Sequence, residues 1–444
     1  MAMKAQNRYE RMMNMKKFMM IWIGELISAI GSGMTAFALS IYVYELTGSV
    51  SYVSLVTLLA YMPTILLSPV GGVLADRYDR RLLMIIGDLF SGLGLVYILW
   101  QMQIGNTGMA PILLGVTWNA VFVALLEPSY KATVTDLLTQ EEYGKASGMV
   151  QIAGNARYLI SPALAGVILG VADIRVILLI DICTFFLTIT MVAMVRKAVK
   201  KPVQKENRGM IGELREGFLV IAKNKGIRAL VMLMTFVCFF VGFIQTLTGP
   251  MVLAISDART VGILESVCAI GMLVGSVWIG FRGIRGAYAS VLGVAACFCG
   301  VFMALAGVST NLVITGLGIF FFFLSLPFIN TCADVLVRVS ISNELQGRVW
   351  GMISLLTQAG TVVAYVLCGV LADYVFEPLL TKQGVLASSV GVLIGTGKGR
   401  GIGLMLILSG IGMVVAAIFI IKNKTIKEIK VEGEVSHVSE AINQ

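Results

Sequence analysis

Histidine is nearly missing from this chain: its 444 residues hold one, His437, in a polar tail. A solvated tail position leaves the rest of the chain without the imidazole that metal centres and nucleophilic triads use most. Charge is sparse too. Asp, Glu, Lys and Arg make up 13% of the residues, about half the ~25% of a soluble domain, which argues against a globular enzyme. The seven cysteines (Cys183, Cys238, Cys268, Cys297, Cys299, Cys332 and Cys368) show no pairing pattern; their count is odd and Cys297/Cys299 is C-x-C. All lie in apolar runs and read as small buried hydrophobes rather than disulfides or ligands. No phosphate-binding loop is present. The nearest approach, Gly391 to Gly399, puts five residues between Gly391 and Gly397 and no Ser or Thr after Lys398, which argues against a nucleotide-driven pump. No metal site and no cofactor are expected, and no intramembrane enzyme. The basic start (Lys4, Arg8, Arg11, Lys16, Lys17) lacks a small-residue cleavage site and reads as the beginning of a topology, not a removable signal.

What the chain has is apolar length. It is 57% hydrophobic with mean hydropathy +0.89, and a helix of about 20 apolar residues crosses a bilayer. Twelve runs qualify: Phe18–Val43, Val50–Leu74, Leu82–Gln101, Pro111–Leu126, Gly148–Val171, Val176–Val195, Ala229–Ile255, Val261–Phe281, Ala287–Val308, Leu312–Val337, Gly351–Leu371 and Gly401–Ile421. The fourth is short as bounded and is expected to continue past Pro128. Basic residues collect at alternate ends. Arg77, Arg80 and Arg81 follow span two, Lys145 follows span four, and Arg196 to Arg228 fill the gap after span six. Arg282 and Arg285 follow span eight, Arg338 and Arg348 flank the gap after span ten, and Lys422 to Lys430 follow span twelve. The positive-inside rule then puts both termini and the long gap in the cytoplasm. Lys382, Lys398 and Arg400, before span twelve, are the exception. The net charge of +9 is therefore a topology signal, and nucleic acid is not an expected partner.

These runs divide the chain into a six-helix bundle over 1–195, a cytoplasmic linker over 196–228, a second six-helix bundle over 229–421 and a cytoplasmic tail over 422–444. In the linker, Ile211, Leu214, Phe218 and Ile221 recur at helical spacing, which predicts an interfacial helix on the inner leaflet; a soluble loop helix is the other reading. A repeat links the halves. Glu141, Gly144, Lys145, Gly148 and Met149 correspond to Glu344, Gly347, Arg348, Gly351 and Met352, and the offset 344 − 141 = 203 persists to Gly166/Gly369 and Val167/Val370. Such parallel six-plus-six repeats are the layout of transporters whose halves rock around a central site.

The stretch after span two, Gly72-Val73-Leu74-Ala75-Asp76-Arg77-Tyr78-Asp79-Arg80-Arg81, carries a denser motif. It resembles the major facilitator superfamily, whose signature here is roughly G-x-L-x-D-R/K-x-G-R/K-R/K. Gly72, Leu74, Asp76, Arg77, Arg80 and Arg81 match, while Asp79 stands where the pattern has its second glycine. The resemblance covers Phe18 to Ile421. It implies an all-α membrane protein with twelve transmembrane helices in two six-helix pseudo-symmetric bundles. It also implies that Gly72, Asp76, Arg77, Arg80 and Arg81 form a conformational gate, with Asp76 able to pair with arginines or face a helix end; plain positive-inside anchoring is the competing reading. Asp88 and Asp373 are further gate candidates. In span five, Ser161, Pro162 and Gly166 resemble the antiporter motif of the family's exporters, with Ser161 and Ala165 replacing glycines. Pro128-Ser129-Tyr130 and Gly397 to Gly403 resemble its drug-efflux branch, which includes macrolide and enterobactin exporters.

A charge near the bilayer centre is costly, so an ionisable residue within a span is a functional candidate. Glu25, Glu127, Arg157, Asp181 and Glu265 lie within spans one, four, five, six and eight. Glu25 is the leading proton site, because a carboxylate held away from water can cycle between charged and neutral forms. Arg157 is the expected countercharge for Glu25, Glu127 or Asp181. A structural ion pair that orients helices is the plainer alternative. Gln245, Asn330, Gln358, Trp118 and Asn119 either line a cavity or make interhelical hydrogen bonds. The expected function is secondary active export of lipophilic or amphipathic small molecules, macrolide-like and proton-coupled, by a monomer in the bacterial cytoplasmic membrane. Sodium coupling, a siderophore or metabolite exporter, an uptake permease, and a membrane receptor or lipid scramblase are the alternatives.

Overall fold

Among the described residues of the computed structural model, twelve helices are long and apolar enough to cross a bilayer. The structure describes residues 2–106, 108–138, 143–196, 210–284, 288–341 and 346–422. Among the described residues there is no strand. That follows from the solvent: in hydrocarbon every backbone N–H and C=O must be satisfied within its own segment, which a helix does. The polar tail with His437, linker residues 197–209 and the segments around Glu141 and Glu344 lie outside the described residues.

One compact unit comprises residues up to Glu206 together with Ala258–Ser266. It contains α1 (Ala2–Thr47), α2 (Val50–Arg77), α3 (Arg80–Gln103), α4 (Met109–Leu137), α5 (Tyr143–Leu159), α6 (Ser161–Leu169) and α7 (Ile174–Arg196). Helix α4 continues past Pro128, as expected, to Leu137. The fifth span is divided: α5 and α6 meet at Ile160, two residues before Pro162, whose missing N–H removes one helical hydrogen bond. Helix α1 packs against α7 and against α5 and α6. The contact with α7 is close at Gly31, where a β-carbon would come within 2.8 Å of both Asp181 Oδ1 and Thr184 Oγ1. A hydrophobic cluster of Phe18, Ile21, Met84, Tyr130, Leu137, Val192 and Val195 joins the start of α1 to α3, α4 and α7.

The second unit comprises 207–257 and 267–444. It contains α8 (Met210–Lys223), α9 (Lys225–Leu253), most of α10 (Ala258–Arg282), α11 (Tyr288–Val308), α12 (Leu312–Val339), α13 (Gln346–Leu371) and α16 (Arg400–Lys422). Two short helices, α14 (Glu377–Leu379) and α15 (Val390–Ile394), lie between α13 and α16. Helix α9 packs on α13, and α11 on α12 and α16. The repeat is visible in the helix starts: α5 opens at Tyr143 and α13 at Gln346, and 346 − 143 = 203. Helix α13 does not break where α5 does, because Tyr365 stands at the position of Pro162.

Two boundaries differ from the sequence reading. The eleventh span does not stop at Leu371 but runs through a π-helical turn, Ala372–Phe376, to Leu379. Helix α8 forms and packs against α13 and α9, but it buries Gly217 and Ile221, one turn apart, while Phe218 is exposed. The side chains of Ile211 and Leu214 lie outside the described residues.

Candidate functional site

Asp88 is buried in the middle of α3, 2% exposed, and its Oδ2 has no hydrogen-bond partner. The negative charges of Glu25 from α1 and Asp181 from α7 both act on it. Asp88 thus lies within electrostatic range of two other carboxylates of the first unit. Asp181 is 1% exposed and is well supplied: Ser32 Oγ donates to its Oδ1 at 3.2 Å and Thr184 Oγ1 at 3.4 Å. The exposed Arg157 adds a positive charge acting on it. Of the three possible partners of Arg157, Asp181 is the one on which its charge acts. Glu25 is half-buried, and its Oε1 is buried without a partner. Its charge also acts on the Tyr130 hydroxyl, which is buried and unpartnered as well. One turn before Glu25, Trp22 Nε1 donates to Met149 O at 2.6 Å, fixing α1 against α5.

The other candidates lie elsewhere. Glu127 is exposed on α4 and paired with Lys131 one turn on, at 2.6 Å. Glu265 is half-buried in α10, and none of the carboxylate cluster's charges acts on it. Beside it, Ser266 Oγ accepts from the Ala163 N–H at 3.1 Å. Ser161 is fully buried, its hydroxyl donating to Ile30 O at 2.9 Å. Gly166 lets α6 approach α10, since a β-carbon there would meet Ala258 O at 3.0 Å. The antiporter-like residues Ser161, Pro162 and Gly166 therefore set helix approach. Trp118 Nε1 donates to Phe90 O and Asn119 Nδ2 to Ser91 O, at 2.9 and 3.1 Å, so these two are interhelical ties. Tyr365 Oη is 3.5 Å from Gln245 Oε1, and Asn330 is exposed.

The motif after α2 forms an ion network at one end of the same unit. Arg81 is 1% exposed. Arg80 Nη1 and Arg81 Nη2 reach the two oxygens of Asp136, at 2.5 and 3.3 Å, and Arg80 also donates to Ala75 O and Ala132 O. Asp79 Oδ1 accepts the Arg81 N–H at 3.1 Å, capping α3, while its Oδ2 lies 2.8 Å from Arg196 Nε. Gly72 is half-buried with open space around its α-carbon, and Arg77 is exposed. Asp76 is in the last turn of α2, one residue before its end at Arg77, but its side chain lies outside the described residues. Asp88 is placed with the buried carboxylates, not with this network, and Asp373 sits in the π-helical turn of the second unit, within range of the Glu377 charge.

Sequence reasoning missed Asp136 and Glu377. A carboxylate at the same end of its span as Arg80 and Arg81 was the available signal for Asp136. Glu377 accepts the Gly399 and Ile402 N–H groups at 3.3 and 3.1 Å, and its charge acts on Arg400. Arg400 is 3% exposed and donates to Gly307 O at 2.7 Å. The approach to α16 passes through positive φ at Gly395, Gly397 and Gly399, which glycine adopts without strain.

Comparisons with known proteins agree with this architecture. The family model described as Major Facilitator Superfamily matches residues 21–365. The chain is 27% identical to Macrolide efflux protein A of Streptococcus pyogenes over 370 residues, covering 80% of this chain and 89% of that protein. It is 24% identical to the enterobactin exporter EntS of Citrobacter koseri over 157 residues, 35% of this chain and 38% of that protein. Among solved structures, a bacterial homologue of the human lysosomal transporter Spinster matches with TM-score 0.70 at 12% identity, over 95% of this chain and 99% of that one. With twelve spans, the gate-loop motif and a family match over most of its length, this chain belongs to the Major Facilitator Superfamily.

Proposed function

We propose that this bacterial multi-pass membrane transporter exports lipophilic or amphipathic small molecules of the macrolide type, by alternating access coupled to proton entry. Both termini lie in the cytoplasm and the monomer is the working unit. The observation that carries the reading is the buried, unpartnered Glu25 Oε1 of α1, in a unit that also buries Asp88 of α3 and Asp181 of α7. An ionised carboxylate in an apolar bundle costs several kcal/mol unless it is paired. Binding a proton removes that cost, and releasing it leaves a negative site that attracts a cationic or amphipathic solute. Asp181, with two hydroxyl donors and Arg157, serves as the fixed member. Glu265 is a separate ionisable site of α10. The Arg80/Arg81–Asp136 and Asp79–Arg196 pairs are gate contacts that re-form in each cycle. Export is favoured by the likeness to Macrolide efflux protein A over 89% of that protein's length.

A second reading, export of a siderophore-like metabolite, draws on the shorter likeness to EntS. The test is efflux from energised cells with a panel of macrolides, dyes and catecholate siderophores, with and without a protonophore. The expected result is extrusion of a macrolide, stopped by the protonophore. Extrusion of the siderophore alone moves the second reading ahead. Extrusion that ignores the protonophore but follows an imposed sodium gradient contradicts proton coupling.

A further inference from the structure

Helix α5 carries a polar face inside a membrane span. Gly154, Asn155, Arg157 and Tyr158 are exposed, while Ala153 and Ala156 are buried, and all lie within the fifth span, Ile152–Leu169. At about 100° per residue the four exposed residues form one continuous arc, in the order Arg157, Gly154, Tyr158, Asn155. A β-carbon on Gly154 would meet nothing within 4 Å, so the arc is open at its glycine. The helix itself is held in place. Gly33 of α1 lies against Arg157 O, where a β-carbon would come within 2.7 Å.

Lipid cannot satisfy such a face. A guanidinium, a carboxamide and a phenol turned toward hydrocarbon would each lose their hydrogen bonds. Helix α7 instead turns Leu179, Ile180, Phe186 and Leu187 outward, which suits acyl chains. Arg157 makes no ion pair or hydrogen bond to another described residue, although its charge acts on Asp181. Its planar guanidinium holds five N–H donors in a fork that matches oxygen acceptors. The repeat does not reproduce this face. Gly360 and Thr361, at the offset of 360 − 157 = 203, stand at the places of Arg157 and Tyr158, and both are buried.

We propose that this α5 arc lines the water-filled path of the transported solute, and that Arg157, with Asn155 and Tyr158, donates hydrogen bonds to oxygen acceptors on that solute. The inference rests on the export reading above and narrows its solute to an apolar body with an oxygen-rich edge of hydroxyl, carbonyl or carboxylate groups. A lipophilic cation without oxygen gains nothing from the arc.

The test uses the full-length protein in liposomes, with a charged thiol reagent on both sides of the membrane. Gly154→Cys, Asn155→Cys and Tyr158→Cys are compared with Phe186→Cys on the apolar face of α7, and the unsubstituted protein is the blank. The three α5 variants are expected to react about tenfold faster than Phe186→Cys or more, since the charged reagent is excluded from hydrocarbon. Rates no faster than that control overturn the aqueous face. A macrolide, or the catecholate siderophore of the second reading, should then slow labelling at Gly154→Cys, and protection by neither overturns the solute role. Arg157→Gln should weaken binding of the protecting compound about tenfold, with tetraphenylphosphonium, which has no oxygen, unaffected. Tyr158→Phe removes one exposed hydroxyl, gives a reading if Arg157→Gln does not fold, and should weaken the same compound several-fold. No loss for that compound in either variant, or an equal loss for tetraphenylphosphonium, contradicts the donor role. Labelling and binding are read without a gradient. Efflux without protection at α5 sinks this inference and leaves the export reading standing, and protection without efflux does the reverse.

Discussion

Arg196 Nε lies 2.8 Å from Asp79 Oδ2, so the last residue of α7 is tied to the residue that caps α3. Asp79 replaces the glycine of the family's gate-loop pattern, and the pair therefore depends on a departure from that pattern. The same carboxylate joins the loop to α7 and holds the Arg81 backbone N–H.

Asp79→Asn keeps an oxygen for the cap but loses the ion pair. Both side chains are partly exposed, so the expected loss is about 0.2–1 kcal/mol, shrinking in high salt. Burial alone would push Asp79 up, but the Arg196 hydrogen bond and the Arg81 N–H outweigh it and hold the carboxyl below its ordinary value. A group depressed in this way stabilises the fold above its unfolded pKa, and that contribution is lost as pH falls through the folded value. Thermal melts in detergent should show the Asp79→Asn deficit at neutral pH and lose it in acid below the usual aspartate range. A deficit that persists unchanged in acid contradicts the pair.

Asp136 is the larger dependency. It neutralises Arg80 and the almost fully buried Arg81. Asp136→Ala leaves a buried guanidinium without its anion, which costs about 3–5 kcal/mol. The melting temperature should fall further than for Asp79→Asn, and gate function should fail with it. A melt equal to wild type would show that Arg81 finds its compensation elsewhere.

How much of this was legible depends on the residue. The twelve spans, the 203-residue offset and the extension of α4 beyond Pro128 followed from hydropathy and spacing, because the bilayer imposes both. Glu25 and Asp181 could be named as buried ionisable groups. Their grouping with Asp88 could not, since it depends on how α1, α3 and α7 rotate against one another. Asp88 read as a gate residue from its nearness to the span's end. Glu377 was hidden because the helix runs eight residues beyond Leu371, through a π-helical turn that hydropathy does not mark.

Glu377 also resolves part of a charge anomaly. Arg400 was one of three basic residues on the end predicted to face outside, but it is an internal partner of Glu377 and Gly307 O, not a loop charge. Glu377→Ala should remove the cap of α16, about 1 kcal/mol, and further destabilise through the uncompensated Arg400. Glu377→Gln, which keeps an acceptor for one N–H, should lose less. Equal melts for the two variants would contradict the capping role.

The topology can be tested directly. In a cysteine-free background, a cysteine at Lys398 should react with a membrane-impermeant thiol reagent added to intact cells. A cysteine at Arg282 should react only after the membrane is opened. The reverse pattern would overturn the assignment of both termini to the cytoplasm.

The most direct measurement is macrolide transport in proteoliposomes driven by an imposed pH gradient, comparing wild type with Glu25→Gln. The account predicts gradient-driven transport by wild type, and its loss by at least tenfold in the variant, while binding of the macrolide and the melting temperature remain measurable. Gradient-driven transport that survives Glu25→Gln unchanged would contradict the claim that coupling runs through Glu25 of α1.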